Sequence, residues 1–338
     1  MDEFLKLSLE EQGELIRETA SRLSLHPTPV EKDFWVCLLL RELFALPEVG
    51  SHMLFKGGTS LSKAYHVISR FSEDIDLSID RTALAFEEGA DWGGLTTGQR
   101  DNRLKKLNRS TRQWVEERLM SGLNERLQRL MPSGDWKLEF GEKKRDRVHV
   151  YFHYPRSVPG DGELAYVRPY VLMEFSARSE HEPVEDKQIQ PYIAEQFPNQ
   201  VPNAEIPVKV LAAVRTFWEK VTILHAESTR AKDEPLPPRL ARHASDIWQL
   251  MESGIGEAAM HQRDLLRRVC DHKSMYYHQG RIDYSEAYTG KLTLVPSHDR
   301  LTELDKDYRA MREYFPQEPP YFEHIVQALR QIQERVNA

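Results

Sequence analysis

The chain has 338 residues, enough for two domains or one domain with a large appended lobe. Hydrophobic residues make up 40% and charged residues 29%, which excludes a disordered or fibrous chain. The formal net charge of −7 argues against a surface that coats nucleic acid throughout, yet leaves room for a local basic groove.

Two helices open the chain. Ser8-Leu9-Glu10-Glu11 reads as a capping box ahead of Leu15, Ile16, Ala20 and Leu23 at helical spacing. Thr28-Pro29-Val30-Glu31 reads as a second one, starting a largely apolar helix that runs to about Leu46. A short strand, His52–Phe55, leads into a turn, Lys56-Gly57-Gly58-Thr59-Ser60, and a helix is predicted from Leu61 to Ser69. A second strand, Asp74–Ile79, alternates strictly between polar and apolar residues. Ala83 to Thr97 reads as a loop and about Gly98 to Leu130 as a long helix. Strands are predicted at 136–140, 147–153 and 169–176.

Residues 178–202 read as irregular. Helices follow at about 204–225, 239–251, 257–271, 302–314 and 321–336, with an extended Pro-rich loop at 228–238. The pattern predicts an α+β domain over residues 1–185 and a helical domain over residues 203–338. Cys37 and Cys270 are too few for a disulfide framework or a four-cysteine zinc site, and Cys37 sits in an apolar run as a buried thiol would. Met1–Lys6 does not resemble a secretion signal, and the run Phe34–Leu40 falls well short of the ~20 residues of a membrane span. A soluble, cytoplasmic protein without membrane contact is expected.

Asp74 and Asp76 are two apart on a strand, so both carboxylates face one way. Like charges held that close cost roughly 1–4 kcal/mol and call for a cation; oxygen ligands suit Mg²⁺. A solvated acidic face is the alternative. The turn Gly57-Gly58-Thr59-Ser60 offers backbone amides and two hydroxyls to a phosphate where a helix begins, or is simply a capping turn. It has neither the Walker nor the Rossmann spacing. Turn and acidic strand together make a nucleotide–Mg²⁺ constellation. Glu174, inside the apolar strand at 169–176, needs a cation, which metal ligation or a salt bridge to Arg178 would supply.

Lys56-Gly57-Gly58-Thr59-Ser60-Leu61-Ser62-Lys63 followed by Arg70-Phe71-Ser72-Glu73-Asp74-Ile75-Asp76-Leu77 resembles the nucleotidyltransferase toxins of the AbiEii type, to which the MenT toxins are related. Arg215–Lys220 with His225 resembles the family's lysine motif, and Arg242–Ile247 its closing aspartate motif. The resemblance implies a DNA polymerase beta-like nucleotidyltransferase core with a helical lobe, acting with Mg²⁺ on an NTP in abortive infection and phage defence. In the MenT branch the acceptor is the tRNA 3′ end, and a cognate antitoxin neutralises the toxin.

By position, Asp74 and Asp76 would bind metal, with Glu174 as a third ligand. Gly57, Gly58, Thr59 and Ser60 would hold phosphate, Lys63 would touch phosphate or be solvated or structural, and Ser72 would contact phosphate or serve regulation. Lys220 would neutralise the triphosphate, or merely snorkel from its helix. Asp246 would orient Lys220 or the acceptor, or form an i, i+4 ion pair with Arg242. Arg70 would touch phosphate or be structural, and His243 reads as structural.

Residues 100–147 hold 14 Lys/Arg against 8 Asp/Glu, concentrated at Arg100, Arg103, Lys105, Lys106, Arg109 and Arg112. Such a face is either solvated or contacts RNA phosphates. A Mg²⁺-dependent transfer of NMP to an RNA, in particular the tRNA 3′ end, is the expected activity. The alternatives are a non-catalytic RNA- or partner-binding module on the same fold, and a nucleotidyltransferase that modifies protein or a small molecule.

Overall fold

The computed structural model describes residues 1–84, 86, 92–142, 144, 146–158, 167–231, 234–278 and 282–338. Residues 85 and 87–91 of the expected loop after Ala83, and residues 232 and 233 of the Pro-rich loop, lie outside them. The chain divides into two compact units: residues 1–64 with 71–211, and residues 65–70 with 212–338. The first thus reaches Leu211, past the boundary expected between 185 and 203.

In the first unit, α1 (Asp2–Leu5), α2 (Leu9–Leu23) and α3 (Pro27–Phe44) precede β1 (Met53–Lys56), α4 (Gly57–Lys63) and β2 (Ile75–Ile79). Then come α5 (Thr97–Trp114), α6 (Met120–Leu130), β3 (Lys137–Phe140), β4 (Val148–His153), β5 (Val171–Ser176), β6 (Val184–Ile189), α7 (Tyr192–Gln196) and β7 (Ile206–Leu211). The seven strands form one mixed sheet in the order β3-β4-β5-β2-β1-β7-β6. β2 pairs antiparallel with β1 and parallel with β5, so the strand behind the acidic pair lies inside the sheet.

Local chemistry explains the starts of several helices. Ser8 and Glu11 form the expected capping box of α2, and Thr96 with Gln99 forms one for α5. α5 runs into α6 through a π turn at Val115–Leu119, so the long predicted helix is one rod with a local bulge. α3 is capped by His26, whose ring accepts from Thr28 N, and not by Thr28 as expected. Glu31 is thereby released into the core, where it accepts from the amide and hydroxyl of Ser157.

Phe34 through Leu40 of α3 are at most 2% exposed, and α3 packs on β5 and β7. Burying each such large side chain contributes about 1.5–3 kcal/mol. Cys37 is a buried thiol, as expected. The same helix buries two ion pairs: Lys32 with Glu73 at 2.6 Å, and Asp33 with Lys63 at 2.8 Å. The first ties α3 to the segment that leads into β2, the second ties it to α4.

Two strands depart from the sequence expectation. β6 lies within the stretch read as irregular, and β7 replaces the first turns of the helix expected from Ala204. Ile206, Val208 and Val210 face the core while Pro207 and Lys209 face out, a period-2 signal that overrides helix propensity.

In the second unit, α8 (Ala213–Ser228) is surrounded by α9 (Ala241–Glu252), α10 (Ile255–Met260) and α11 (Arg263–Tyr276); α12 (His298–Ala310) and α13 (Phe322–Asn337) pack on α9. Phe217 and Trp218 form its fully buried centre. The single helix expected at 257–271 is two helices, broken at His261 and Gln262. The helix expected over Leu61–Ser69 stops at Lys63: His66 takes a left-handed backbone (φ 53°), and Ser69 N donates to Gln249 Oε1 at 2.6 Å. Among the described residues no helix is long and apolar enough to cross a membrane.

Candidate active site

The site of the first unit begins where β1 hands over to α4. Lys56 is extended, the chain turns at Gly57 (φ 83°), and α4 starts at once without a side-chain cap on its first amides. Only glycine fits at 57, because a Cβ there would run into the Asp76 carboxylate. The glycine is therefore the space in which Asp76 sits. Gly57→Ala is expected to displace that carboxylate and cost about 1–2 kcal/mol for the left-handed backbone, read as a lower melting temperature together with lost activity.

The three hydroxyls near this turn face inward. Thr59 Oγ1 donates to the Asp74 carbonyl, and Ser60 Oγ donates to the Gly57 carbonyl at 3.0 Å. A hydroxyl has one proton, so Thr59 accepts in its 3.0 Å contact with Ser72 Oγ. The donors expected from Thr59 and Ser60 are thus spent on fixing the backbone between the turn and Asp74. The groups of this segment left to meet an anion are the first amides of α4.

Lys63 takes the structural one of the roles open to it. It turns into the core, fully buried, with Asp33 at 2.8 Å and Tyr192 under its ammonium at 4.0 Å. The Asp33 charge holds the ammonium well above its usual range despite burial. The sequence places it on the helix after the turn; the Asp33 carboxylate of α3 decides its direction.

Asp74 precedes β2 by one residue and Asp76 lies on it. Burial, reinforced by the neighbouring Glu73 charge, raises the Asp74 carboxyl to about 6. Burial also raises Asp76; Lys56, its register partner on β1, opposes this, and the Glu174 charge adds to it. Glu174 stands directly opposite Asp76 across the parallel β2–β5 pair and is hydrogen-bonded to it. Arg147 Nη1 meets Glu174 Oε2 at 2.7 Å and His149 Nε2 meets Oε1 at 2.9 Å. Burial works against that charge, but His149 and Arg147 hold the Glu174 carboxyl down to about 2. The partners of Glu174 are therefore Arg147 and His149, and not Arg178 as the sequence spacing suggested. Arg147 and His149 escaped the sequence reading; their two-residue spacing on a strand was the available signal.

The donor set at this end of the sheet is oxygen only. Among the described residues no group of three or more His, Cys, Asp or Glu is arranged to hold a metal by itself. Mg²⁺ asks for less: it is usually held by one or two carboxylates with phosphates and water completing its shell. Asp74 and Asp76 fit that demand: burial, with neighbouring negative charge, raises both carboxyls, and a cation would offset it. Glu174, already held by Arg147 and His149 and hydrogen-bonded to Asp76, fits a positioning role toward Asp76 better than ligation.

The second unit gathers Lys220 and Asp246. Lys220 Nζ meets Asp246 Oδ2 at 2.8 Å, and Arg70 grips the same carboxylate through Nε at 2.7 Å and Nη2 at 2.8 Å. Asp246 is completely buried. Burial disfavours its charge, but Arg70 and Lys220 hold the carboxyl well below the usual range. Burial lowers the Lys220 ammonium, against the pull of Asp246. His243 is pushed well down by burial and by Lys220 and Arg242, so it is neutral at pH 7. Asp246 thus pairs with Lys220, and Arg70 is the third member of the cluster.

Residues 38–330 match the family model for the nucleotidyl transferase AbiEii toxin of type IV toxin–antitoxin systems. The chain belongs to that family: it is a nucleotidyltransferase toxin with an α+β core, and an antitoxin partner and a nucleotide substrate go with the membership. No curated protein matches it. Among solved structures it is similar to MenT4, a nucleotidyltransferase toxin from Mycobacterium tuberculosis H37Rv, at 15% identity and a TM-score of 0.34, covering 96% of this chain and 99% of that one.

Proposed function

We propose that the protein transfers NMP from an NTP to an RNA acceptor, in particular the 3′ end of tRNA, with Mg²⁺, and so blocks translation. The observation that carries this reading is the Asp74–Asp76 pair, half-buried and raised in pKa, beside an uncapped helix start whose first residue has room for nothing but Asp76. In it, the amides of Gly57, Gly58, Thr59 and Ser60 hold the outer phosphates, and Thr59, Ser60 and Ser72 fix their geometry. Asp74 and Asp76 hold the metal, which supplies charge neutralisation on the phosphate oxygens when bound. Glu174, clamped by Arg147 and His149, sets the position of Asp76. Lys220, oriented by Asp246, supplies a positive charge for the triphosphate.

An acceptor hydroxyl attacks the α-phosphorus in line; the bond to the bridging oxygen breaks, and pyrophosphate and a proton leave. The chain contributes positioning and fixed charge more than covalent chemistry. A non-catalytic module would have no use for two carboxylates held against their own repulsion.

The test incubates the protein and Mg²⁺ with each labelled NTP in turn and total tRNA. Labelled tRNA is the expected product with at least one NTP and none with Asp76→Ala. No labelled RNA with any NTP would overturn the RNA reading; label appearing on protein would redirect it to a protein acceptor.

A further inference from the structure

The structure points to a second feature of the same unit, the outward face of α5. Between Asp101 and Glu116 this helix carries Arg103, Lys105, Lys106, Arg109 and Arg112 and no acidic residue. Leu104, Leu107, Thr111 and Trp114 turn inward, which leaves Lys105, Lys106 and Arg109 exposed over two successive turns. Arg112 lies beside them with its guanidinium 4.2 Å above the Phe140 ring. Several exposed arginines of this acidic chain are matched with carboxylates, such as Arg22 with Glu18, Arg309 with Asp305 and Arg335 with Glu257, while Arg118, Arg168 and Arg330 stand singly among the described residues. Lys105, Lys106 and Arg109 have no such partner among the described residues.

The helix that carries the stripe also lies against the strands that carry the site. α5 packs on β4 and β5, and Asn108, between Lys106 and Arg109, donates to the Lys144 carbonyl at 3.0 Å. Three residues beyond Lys144, Arg147 reaches Glu174, the register partner of Asp76.

We infer that Lys105, Lys106 and Arg109 form the docking face for the sugar–phosphate backbone of the RNA acceptor, leading it toward the acidic end of β2. Regularly spaced cations without counter-charges match a backbone whose phosphates repeat along a strand, and such contacts hold any sequence. The face therefore supplies affinity, and selection of the acceptor end falls to the site itself. This rests on the RNA reading proposed above.

The experiment compares the wild type with Lys105→Gln/Lys106→Gln/Arg109→Gln and with the charge-keeping Lys105→Arg/Lys106→Arg. Binding of total tRNA is followed by fluorescence anisotropy over a series of salt concentrations, and stabilisation by Mg²⁺ with NTP is followed by thermal melting. Loss of three phosphate contacts should flatten the slope of log affinity against log salt by about 2 to 3 and weaken low-salt binding by ten-fold or more. The KM for tRNA rises, while kcat and the NTP-dependent melting shift stay at wild-type values, and the arginine variant behaves as wild type. Wild-type binding and slope in the glutamine variant would overturn the inference and leave the RNA reading intact. Absence of tRNA binding by the wild type at low salt would overturn both.

Discussion

Asp76→Asn is expected to abolish transfer, by about 10³-fold or more, while leaving the protein folded and more resistant to heat. The two effects have one cause. The Asp76 carboxyl is raised by burial and by Glu174, so its folded value lies above the unfolded one. The stability it lends is present at acid pH and is lost as pH rises through the folded value. At pH 7 to 8 the charged side chain is a load on the fold, which asparagine of the same shape removes. Radiolabel transfer and a thermal melt on the same sample check both halves. Lost activity with a lower melting temperature would make Asp76 a structural residue.

The neighbouring Asp74 gives the pH dependence. Its carboxyl sits at about 6, so it must lose a proton to meet a cation. Stabilisation of the wild type by Mg²⁺ with NTP should be larger at pH 8 than at pH 5.5, and absent in Asp76→Asn at both.

The second large effect belongs to the helical unit. Asp246→Ala leaves Arg70 and Lys220 buried without their carboxylate, a loss of about 3–5 kcal/mol. Chemical unfolding should show it as a lower midpoint. The sign against pH is opposite to that of Asp76: the Asp246 carboxyl is held below its unfolded value, so its stabilisation is present above about pH 4 and lost on further acidification. The wild type should therefore have an acid-unfolding limb that Asp246→Asn lacks. Replacing the cluster with apolar residues, Arg70→Met/Lys220→Met/Asp246→Leu, should recover stability without activity. Recovery of both would remove Lys220 from the proposed mechanism.

The sequence alone determined what depends on neighbours along the chain. The two-residue spacing at Asp74 and Asp76, the glycine turn at Gly57 and Gly58, and the caps at Ser8 and Thr96 are local, because strand alternation and helix-end geometry are set by a few residues. The resemblance located Lys220 and Asp246, since motifs survive as short strings.

Only the tertiary structure decided what those residues touch. Glu174 lies ninety-eight positions beyond Asp76, and the parallel pairing of β2 with β5 makes them one acidic pair. Arg147 reaches that pair through the antiparallel β4–β5 pairing, while Arg178, nearer in sequence, sits beyond the end of β5. Lys63 was legible as a cation near a phosphate turn, yet α3 offered it a buried Asp33, and a charge leaving water goes to the partner that best repays its desolvation. Arg70 and Asp246 met for the same reason. Side-chain direction and charge pairing follow from what packs opposite, and the chain's local pattern does not encode that neighbour.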